Sequence, residues 1–364
     1  MNVCRHFGVC GGCAFQDMPD DAYRALKRSF VVDALAQHGL ESTEVDSVVA
    51  VKPATRRRAV FKVAKRNGAV LAGFHAAQSH AIVDMHECLV LTPRLFALVG
   101  QLRELFAVLL NDGEDVEAHV TDTETGPDIA LRWSRRLTPA ISADLARWAQ
   151  KHKIARVTLN GNIATEFAAP VVTFGKARVT LPPESFLQPT QEGEAVLRDH
   201  VCAVVKNAKQ VADLFAGCGT FTFPLAEKAR IHAVELDKPA LATMAAAARA
   251  TQGLKPIATE ARATQGLKPI ATEARDLFKL PLSGEELKPY DAVVLDPPRA
   301  GAQAQAKALA ASKVRRVAYV SCNAETFARD ARLLVDGGYK LGAVTPVDQF
   351  LWSSHIELVA GFAR

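Results

Sequence analysis

The first group of residues that could do chemistry is a set of cysteines near the N-terminus. Cys4, Cys10 and Cys13 follow the pattern C-x5-C-x2-C, and Cys88 lies further on in the segment DMHEC. Glycines between the first three allow a short loop to fold back, so that several thiolates converge on one centre. The odd total of seven cysteines argues against a disulfide framework. The spacing predicts a metal centre and does not separate zinc from an iron–sulfur cluster.

A second group surrounds the glycine-rich segment DLFAGCGTF. Gly217 and Gly219 follow an apolar run that is typical of a buried strand, and Glu235 ends the next such run 18 residues after Gly217. A Gly-x-Gly turn brings the backbone close to a ligand, and an acid at this spacing accepts hydrogen bonds from ribose hydroxyls. The third glycine of the dinucleotide fingerprint is missing. The pattern therefore predicts a site for a single nucleoside with a charged side arm, such as S-adenosylmethionine.

Two later strands are expected to end in reactive side chains. Asp296 begins the segment DPPR, whose two prolines make a rigid loop, and Cys322 lies in SCN at a strand-to-helix junction. The positive N-terminus of a helix favours the thiolate form of a cysteine. We therefore expect Cys322 to be a nucleophile at the same edge of the sheet as Asp296.

A basic stretch at 52–66 is a candidate nucleic-acid contact. It holds seven Lys and Arg residues and no acid. Apolar residues among them indicate β structure, so the charges are expected on an exposed face. A solvated strand face is the alternative, but an uncompensated run of one sign is typical of a contact with a polyanion. The residues predicted to bind RNA are Arg56, Arg57, Arg58 and Lys62.

Composition and length limit the framework that positions these groups. A chain of 364 residues is longer than one hydrophobic core usually accommodates. Its composition, 49% hydrophobic and 23% charged residues, is typical of globular proteins. The net charge of +5 indicates no particular partner. No apolar run reaches the roughly 18 residues that span a bilayer, and the N-terminus has no apolar signal core. We expect a soluble, cytoplasmic monomer without a membrane segment.

The strand pattern predicts an α/β fold. From about residue 186 apolar runs alternate with helical segments, as in a doubly wound sheet of seven strands. The predicted strands are Val211–Phe215, Ile231–Leu236, Ile270–Ala274, Ala292–Leu295, Val317–Val320 and an antiparallel pair near Tyr339–Thr345 and His355–Gly361. Before them, helices are predicted over 18–40 and 93–110. We expect a cysteine-cluster and basic region at 1–90, a small α+β domain at 91–185 and the cofactor domain at 186–364.

One segment is duplicated. ATQGLKPIATEAR occupies 250–262 and recurs without change at 263–275. Only the second copy leads directly into Asp276, so Ile270–Ala274 is predicted as the strand. The first copy is expected to form an extra excursion after the preceding helix.

Taken together, these motifs resemble the RNA uracil-C5 methyltransferases, which make 5-methyluridine in transfer and ribosomal RNA. The motifs that carry the resemblance are CRHFGVCGGC, GFHAAQSHAIVDMHEC, SFLQPT, DLFAGCGTFTFPLA, VELD, DPPRAG, YVSCNAETFARD and HIE. The resemblance implies a class I (Rossmann-like) methyltransferase domain, a [4Fe-4S] cluster on the four cysteines, a Cys322 nucleophile and a Glu357 base. The S-adenosylmethionine contacts that it implies are Gln188, Phe215, Thr220, Glu235, Asp276 and Asp296, beside the turn glycines Gly217 and Gly219.

The chain departs from the family pattern at three points. Thr220 stands where relatives carry Asn, and Ala324 stands where they carry Pro. We also expect no N-terminal RNA-binding barrel before the cysteines. The last difference resembles the shorter 23S ribosomal RNA enzymes, so that RNA is the expected substrate and transfer RNA the alternative.

The chemistry expected is methylation of uridine C5. A thiolate that adds to C6 makes C5 nucleophilic, and a base must then remove the C5 proton. Asp348 is a weaker candidate for the base than Glu357, and His355 is interpreted as structural. Two other classes stay open: a radical S-adenosylmethionine enzyme, which the cysteine spacing disfavours, and an RNA-binding protein whose activity has decayed.

Overall fold

The computed structural model describes residues 3–252 and 266–364, and helices and strands alternate through most of them. The helices are α1 (Asp20–Gln37), α2 (Pro93–Leu109), α3 (Pro139–Lys151), α4 (Gln191–Val204), α5 (Thr222–Ala226), α6 (Lys238–Gln252), α7 (Gly284–Leu287), α8 (Gln303–Ala310) and α9 (Ala324–Asp336). The strands are β1 (Val49–Ala50), β2 (Arg58–Arg66), β3 (Ala69–Gly73), β4 (Asp115–Thr123), β5 (Gly126–Trp133), β6 (Arg156–Leu159), β7 (Asn162–Glu166), β8 (Val171–Phe174), β9 (Ala177–Thr180), β10 (Gln210–Leu214), β11 (Arg230–Glu235), β12 (Ile270–Ala274), β13 (Ala292–Leu295), β14 (Arg316–Ser321), β15 (Lys340–Asp348) and β16 (Glu357–Ala363).

The large sheet has the predicted architecture and one additional strand. Among the described residues its order is β1-β15-β16-β14-β13-β10-β11-β12. The strands β10 to β14 pair in parallel, and β16 runs antiparallel to both β14 and β15. All seven predicted strands are present. The eighth, β1, is a two-residue strand from the N-terminal region that pairs in parallel with β15, and its length is too short to give a sequence pattern.

The parallel strands are apolar because helices cover both faces of the sheet. Successive residues of β13 face opposite sides: Val294 packs with α4, α5 and α6, whereas Val293 packs with α1, α8 and α9. This alternation is the period of two that a strand imposes on its side chains. The crossover helices therefore leave the carboxyl ends of the strands uncovered.

The N-terminal half forms a second sheet of order β3-β2-β4-β5-β6-β7, on which α2 and α3 pack. β2 and β3 come from the segment expected at 1–90, and β4 to β7 come from that expected at 91–185. The expected boundary at residue 90 therefore falls inside one sheet. In addition, α1 and β1 belong to the large sheet, so the N-terminal residues serve both halves.

The second copy of the duplicated segment provides β12, as the sequence predicts. Ile270–Ala274 pairs in parallel with β11 at the edge of the large sheet. The excursion predicted for the first copy falls mainly on residues 253–265, which lie outside the described residues. Within the described parts of the chain, no helix is both long and apolar enough to cross a membrane.

A buried ion pair connects α1 to the end of β15. Lys27 and Asp348 are both fully buried, and the ammonium Nζ lies 2.8 Å from Oδ1 of Asp348. Lys27 also donates to the carbonyl oxygens of Phe350 and His355. Both carbonyls belong to residues 349–356, which we call the β15–β16 loop. One ammonium from the N-terminal region thus fixes both ends of this loop.

Replacing Lys27 by Met should lower the free energy of unfolding by about 3–5 kcal/mol, because the buried Asp348 carboxylate would lose its partner. Urea unfolding followed by circular dichroism measures the change. Arg24→Ala on the same helix is the control, since its pair with Asp20 is exposed and should contribute less than about 0.5 kcal/mol. Equal effects of the two substitutions would contradict the importance of the buried pair.

Candidate active site

A cavity of about 870 Å³ lies at the carboxyl ends of β10, β11, β13 and β14. This is the edge at which open α/β sheets bind their ligands. The predicted residues that line it are Arg56, Phe215, Gly217, Thr220, Glu235, Asp276, Asp296, Cys322 and Glu357. The structure therefore brings the predicted cofactor residues and the predicted reactive residues to one space, although they are far apart in the chain.

The glycine turn forms one end of the cavity. Gly217 has a φ of +54°, and its amide donates to Oε2 of Glu235 over 2.9 Å. The other oxygen of Glu235 accepts from the amides of Leu236 and Asp237. Three backbone amides thus fix this carboxylate at the cavity wall. A fixed acid beside an open backbone turn is the arrangement that binds a ribose.

Gly219 is required by the packing beneath the turn. Its φ is +100°, and a Cβ atom at this position would lie 2.6 Å from Cε2 of Phe223. Phe223 is fully buried, so its ring has no free space into which it could move. Only glycine combines this backbone conformation with this close approach.

The reactive residues lie at the other end of the cavity. Asp296 follows β13, Cys322 follows β14, and Glu357 begins β16. Burial raises the pKa of Glu357 to about 7. Burial, followed by the charge of Glu357, raises the pKa of Asp296 well above its usual range. Two carboxyl groups with weakened acidity therefore face the thiol.

The expectation that the helix start stabilises a Cys322 thiolate is wrong for this structure. Burial and then the charges of Glu357 and Asp296 raise the pKa of Cys322 to about 11. The N-terminus of α9 is also already occupied, because Oδ1 of Asn323 accepts from the amides of Glu325 and Thr326. At neutral pH the thiol is therefore protonated.

Gln349 is a site residue that the sequence analysis missed. It is buried, and its Nε2 lies 2.7 Å from Oε1 of Gln188 and 3.3 Å from Oε2 of Glu357. Gln188 in turn donates to Asp296 over 3.4 Å. These hydrogen bonds link Gln188 to Asp296 and Gln349, and so place it beside the predicted cofactor residues. The available signal was the pair Asp348–Gln349, two polar residues at the end of the apolar strand β15.

The two other residues considered for the base role are engaged elsewhere. Asp348 forms the ion pair with Lys27 and does not line the cavity. His355 lines the cavity, and its Nδ1 lies 2.6 Å from Nη2 of Arg299. Partial burial and the charge of Arg299 lower the pKa of His355, so its ring is neutral and accepts from the guanidinium.

The basic run is not a uniformly exposed face, which corrects the expectation. Arg57 is buried, and its guanidinium lies 2.6 Å from Oε2 of Glu194 on α4. Lys62 is paired with Glu117 across β2 and β4. The run crosses from the large sheet into a central strand of the second sheet, so its side chains meet partners on both sides.

Two arginines of the run lie beside aromatic rings. Arg56 lines the cavity, and its guanidinium carbon lies 5.9 Å from the ring centroid of Phe350. Arg58 lies 5.1 Å from the ring centroid of Phe186, which is 61% exposed. Burial lowers the pKa of Arg58 to about 10, so it remains a cation at neutral pH.

The N-terminal cysteine loop forms another wall of the cavity, through Gly11, Gly12 and Ala14. Burial, followed by the charges of Cys88, Cys10 and Cys4, raises the pKa of Cys13 to about 11. Sγ of Cys4 lies 3.9 Å from the carbonyl oxygen of Glu87, the residue before Cys88. In residues 3–252 and 266–364, however, no three His, Cys, Asp or Glu side chains are placed to hold a metal ion. A metal centre is not shown.

Comparison with known proteins identifies the family. Residues 150–362 match the family model described as tRNA (uracil-5-)-methyltransferase.

This chain belongs to the tRNA (uracil-5-)-methyltransferase family.

Curated relatives support this membership. An uncharacterized RNA methyltransferase of Brucella suis biovar 1 (strain 1330) is 45% identical over 98% of this chain and 83% of its own length. The 23S rRNA (uracil(1939)-C(5))-methyltransferase of Bordetella bronchiseptica is 31% identical over 99% of this chain and 79% of its own length. The chain is therefore an RNA methyltransferase of the uracil-C5 class, with S-adenosylmethionine as the methyl donor.

The fold agrees with a solved structure of the uracil-5-methyltransferase type. The Pyrococcus abyssi tRNA (uracil-54, C5)-methyltransferase, solved in complex with S-adenosyl-L-homocysteine, superposes with a TM-score of 0.73 at 20% identity. The match covers 98% of this chain and 86% of the other. The expected α/β fold with a mixed sheet is therefore confirmed.

Gly219→Ala should weaken the binding of S-adenosylmethionine and lower stability by about 1–3 kcal/mol, because the backbone strain and the contact with Phe223 distort the turn. Isothermal titration with the cofactor and thermal unfolding measure the two effects. The control is Gly100→Ala in α2, where open space surrounds the added methyl group and helix propensity should add about 0.5–1 kcal/mol. Wild-type cofactor affinity in Gly219→Ala would contradict the assigned role of the turn.

Proposed function

We propose that this chain methylates C5 of a uridine in RNA through a covalent bond between Cys322 and C6 of the base. The observation that carries the proposal is the convergence of a half-buried thiol and two carboxyl groups at one end of a cavity whose other end is a ribose-binding turn. A nucleophile and a base in the same cavity are what uracil C5 chemistry needs.

The residues of the glycine turn fit S-adenosylmethionine. Glu235 would hold the ribose hydroxyls, and Phe215 and Phe278, whose ring centroids are 5.5 Å apart, offer apolar surface for the adenine. The remaining proposed cofactor contacts are Gln188, Thr220, Asp276 and Asp296. The bound cofactor supplies an electrophilic methyl group.

The protein's own groups carry the remaining steps. The thiol proton of Cys322 passes to solvent, the sulfur bonds to C6, and the π electron pair of the C5–C6 double bond makes C5 nucleophilic. After C5 is methylated, Glu357 takes the C5 proton, the C6–S bond breaks and Cys322 leaves as the thiolate. The raised pKa of Glu357, about 7, suits a group that must accept a proton near neutral pH.

The substrate proposed is a uridine outside a regular duplex, because C5 and C6 of a stacked base cannot both be reached. Arg56 and Arg58 are the leading candidates for RNA contacts, since both are cations beside aromatic rings near the cavity. Lys62 and Arg57 have acidic partners within the protein, and their proposed contribution is smaller.

We infer that 23S ribosomal RNA is the first substrate to test and transfer RNA the second. The Bordetella bronchiseptica relative, whose name gives 23S rRNA as its substrate, supports the first. The description of the family model supports the second. Mass spectrometry of both RNAs from a deletion strain, searched for the loss of one methyl group on uridine, decides between them.

We also propose that Cys4, Cys10, Cys13 and Cys88 hold an iron–sulfur cluster. The proximity of the thiols and the thiolate chemistry of such clusters support the proposal. Amide groups of His6 and Gly12 lie 3.5 Å from Sγ of Cys4 and Cys10. Because the four side chains do not form a ready metal-binding group in the described residues, no step of the reaction is assigned to the cluster.

Cys322→Ala and Glu357→Gln should fail at different stages. Cys322→Ala should bind RNA without forming an adduct, because it lacks the nucleophile. Glu357→Gln should attack and methylate and then stall, since glutamine cannot accept the C5 proton. Denaturing electrophoresis with cofactor labelled in the methyl group should show a labelled protein–RNA band for Glu357→Gln only.

The wild-type enzyme with RNA that carries 5-fluorouridine is the positive control, because fluorine cannot leave as a proton. Turnover by Cys322→Ala would contradict the assignment of Cys322 as the nucleophile. Normal turnover by Glu357→Gln would contradict the assignment of Glu357 as the base.

Anaerobically purified protein should be brown, and its visible absorbance should be lost in Cys13→Ser, which removes one proposed ligand. Cys202→Ser is the matched control, since Cys202 lies in α4 away from the N-terminal thiols and should keep the absorbance. Metal analysis that finds stoichiometric zinc in a colourless protein would rule out the cluster.

A further inference from the structure

We propose that Gln349 is a positioning residue that holds the Glu357 carboxylate ready to remove the C5 proton. The proposal rests on the proposed function of Glu357 as the base. It starts from the two hydrogen bonds that Nε2 of Gln349 makes, 2.7 Å to Gln188 and 3.3 Å to Glu357.

The orientation of the Gln349 amide is determined by its neighbours. Oε1 of Gln188 and Oε2 of Glu357 both accept hydrogen bonds, and Gln188 uses its own Nε2 to donate to Asp296. A flipped Gln349 amide would set its oxygen against two other oxygens. With both carboxyl groups ionised, the donor nitrogen is therefore the assignment that satisfies this chain of contacts.

Packing leaves the Gln349 side chain little freedom. It is 1% exposed, and a Cβ atom added to Gly193 of α4 would lie 2.5 Å from its Oε1. The preceding residue, Asp348, is fixed by Lys27. In the described residues Oε1 has no hydrogen-bond partner, so the amide is held by its nitrogen and by steric contact with the α4 backbone.

The surroundings of Glu357 make this donor important. Asp296 faces it from the end of β13 and Cys322 from the end of β14, and burial raises the pKa of both groups. The cations near the cavity have other partners: Lys27 pairs with Asp348 and Arg275 with Glu273. Arg299 donates to His355, and Arg56 donates to the carbonyl oxygen of Arg58. Burial raises the pKa of Glu357 to about 7, and the hydrogen bond from Gln349 opposes that rise.

The direction of the expected effect follows from this balance. Glu357 accepts the C5 proton only when it is ionised, so elimination is lost as the pH falls through its pKa. Without the N–H donor the pKa of Glu357 should rise further, and the acidic limb should move to higher pH. A pKa that is higher by about one pH unit lowers the ionised fraction of Glu357 about tenfold at any pH well below the pKa. High pH should then restore elimination, which a general loss of structure would not allow.

The experiment measures the decay of the methylated adduct in single turnover. Wild type and Gln349→Met, which has a similar length and no donor, are mixed with RNA and methyl-labelled cofactor and quenched in denaturant at pH 6 to pH 9.5. The adduct of the variant should persist at pH 7, decaying roughly fivefold more slowly than that of wild type, and should clear at a wild-type rate near pH 9. Gln349→Leu repeats the test if Gln349→Met folds poorly.

Gln305→Met is the matched control. Gln305 is equally buried at 1%, but its amide bonds to the backbone of Leu282, away from the cavity. Its decay profile should have the wild-type midpoint. Slowing of Gln349→Met by the same factor at every pH, or an unchanged midpoint, would overturn the inference.

Failure of the inference is distinguishable from failure of the proposed function. If wild type traps no adduct on 5-fluorouridine RNA, or Glu357→Gln turns over normally, the proposed function fails. If the wild-type adduct forms and Glu357→Gln stalls, while Gln349→Met decays with the wild-type midpoint, only the role of Gln349 is rejected.

Discussion

The contact between the Lys27 ammonium and Asp348 is the interaction on which the site depends. It joins a helix of the N-terminal region to the far end of the large sheet, in a place where neither charge meets water. Separating the pair would leave a buried charge without a partner and would cost free energy. The helix α1 and the end of β15 therefore stay in contact. The β15–β16 loop, which carries residues of the cavity wall, is the part of the chain that this pairing fixes.

The cavity has two electrostatic ends. At the glycine turn, backbone amides surround Glu235 and stabilise its charge. At the opposite end, Asp296 and Glu357 have few donors, and burial weakens their acidity. One end is thus suited to binding a polar ligand through a carboxylate held by backbone amides, and the other is suited to moving protons. The same residue type serves both purposes because the number of donors around it differs.

The strands and the edge at which the site forms could be predicted from the sequence, because buried parallel strands are continuous apolar runs and their carboxyl ends meet. The pKa of Cys322 could not, because it depends on carboxylates that only the fold brings near. The burial of Arg57 depends on Glu194, which is 137 residues away. Local patterns determine elements, whereas desolvation and pairing are properties of the assembled chain.

The pairing of β12 with β11 has a consequence for folding. The residues 257–261 have the same sequence as β12, so hydrogen bonding to β11 alone does not distinguish the two copies. The selection comes from the residues that follow: Leu277 is buried after the second copy, whereas Thr264 occupies the equivalent place after the first. The burial of Leu277 just beyond β12 therefore distinguishes the second copy at this sheet edge, which pairing with β11 alone would not do.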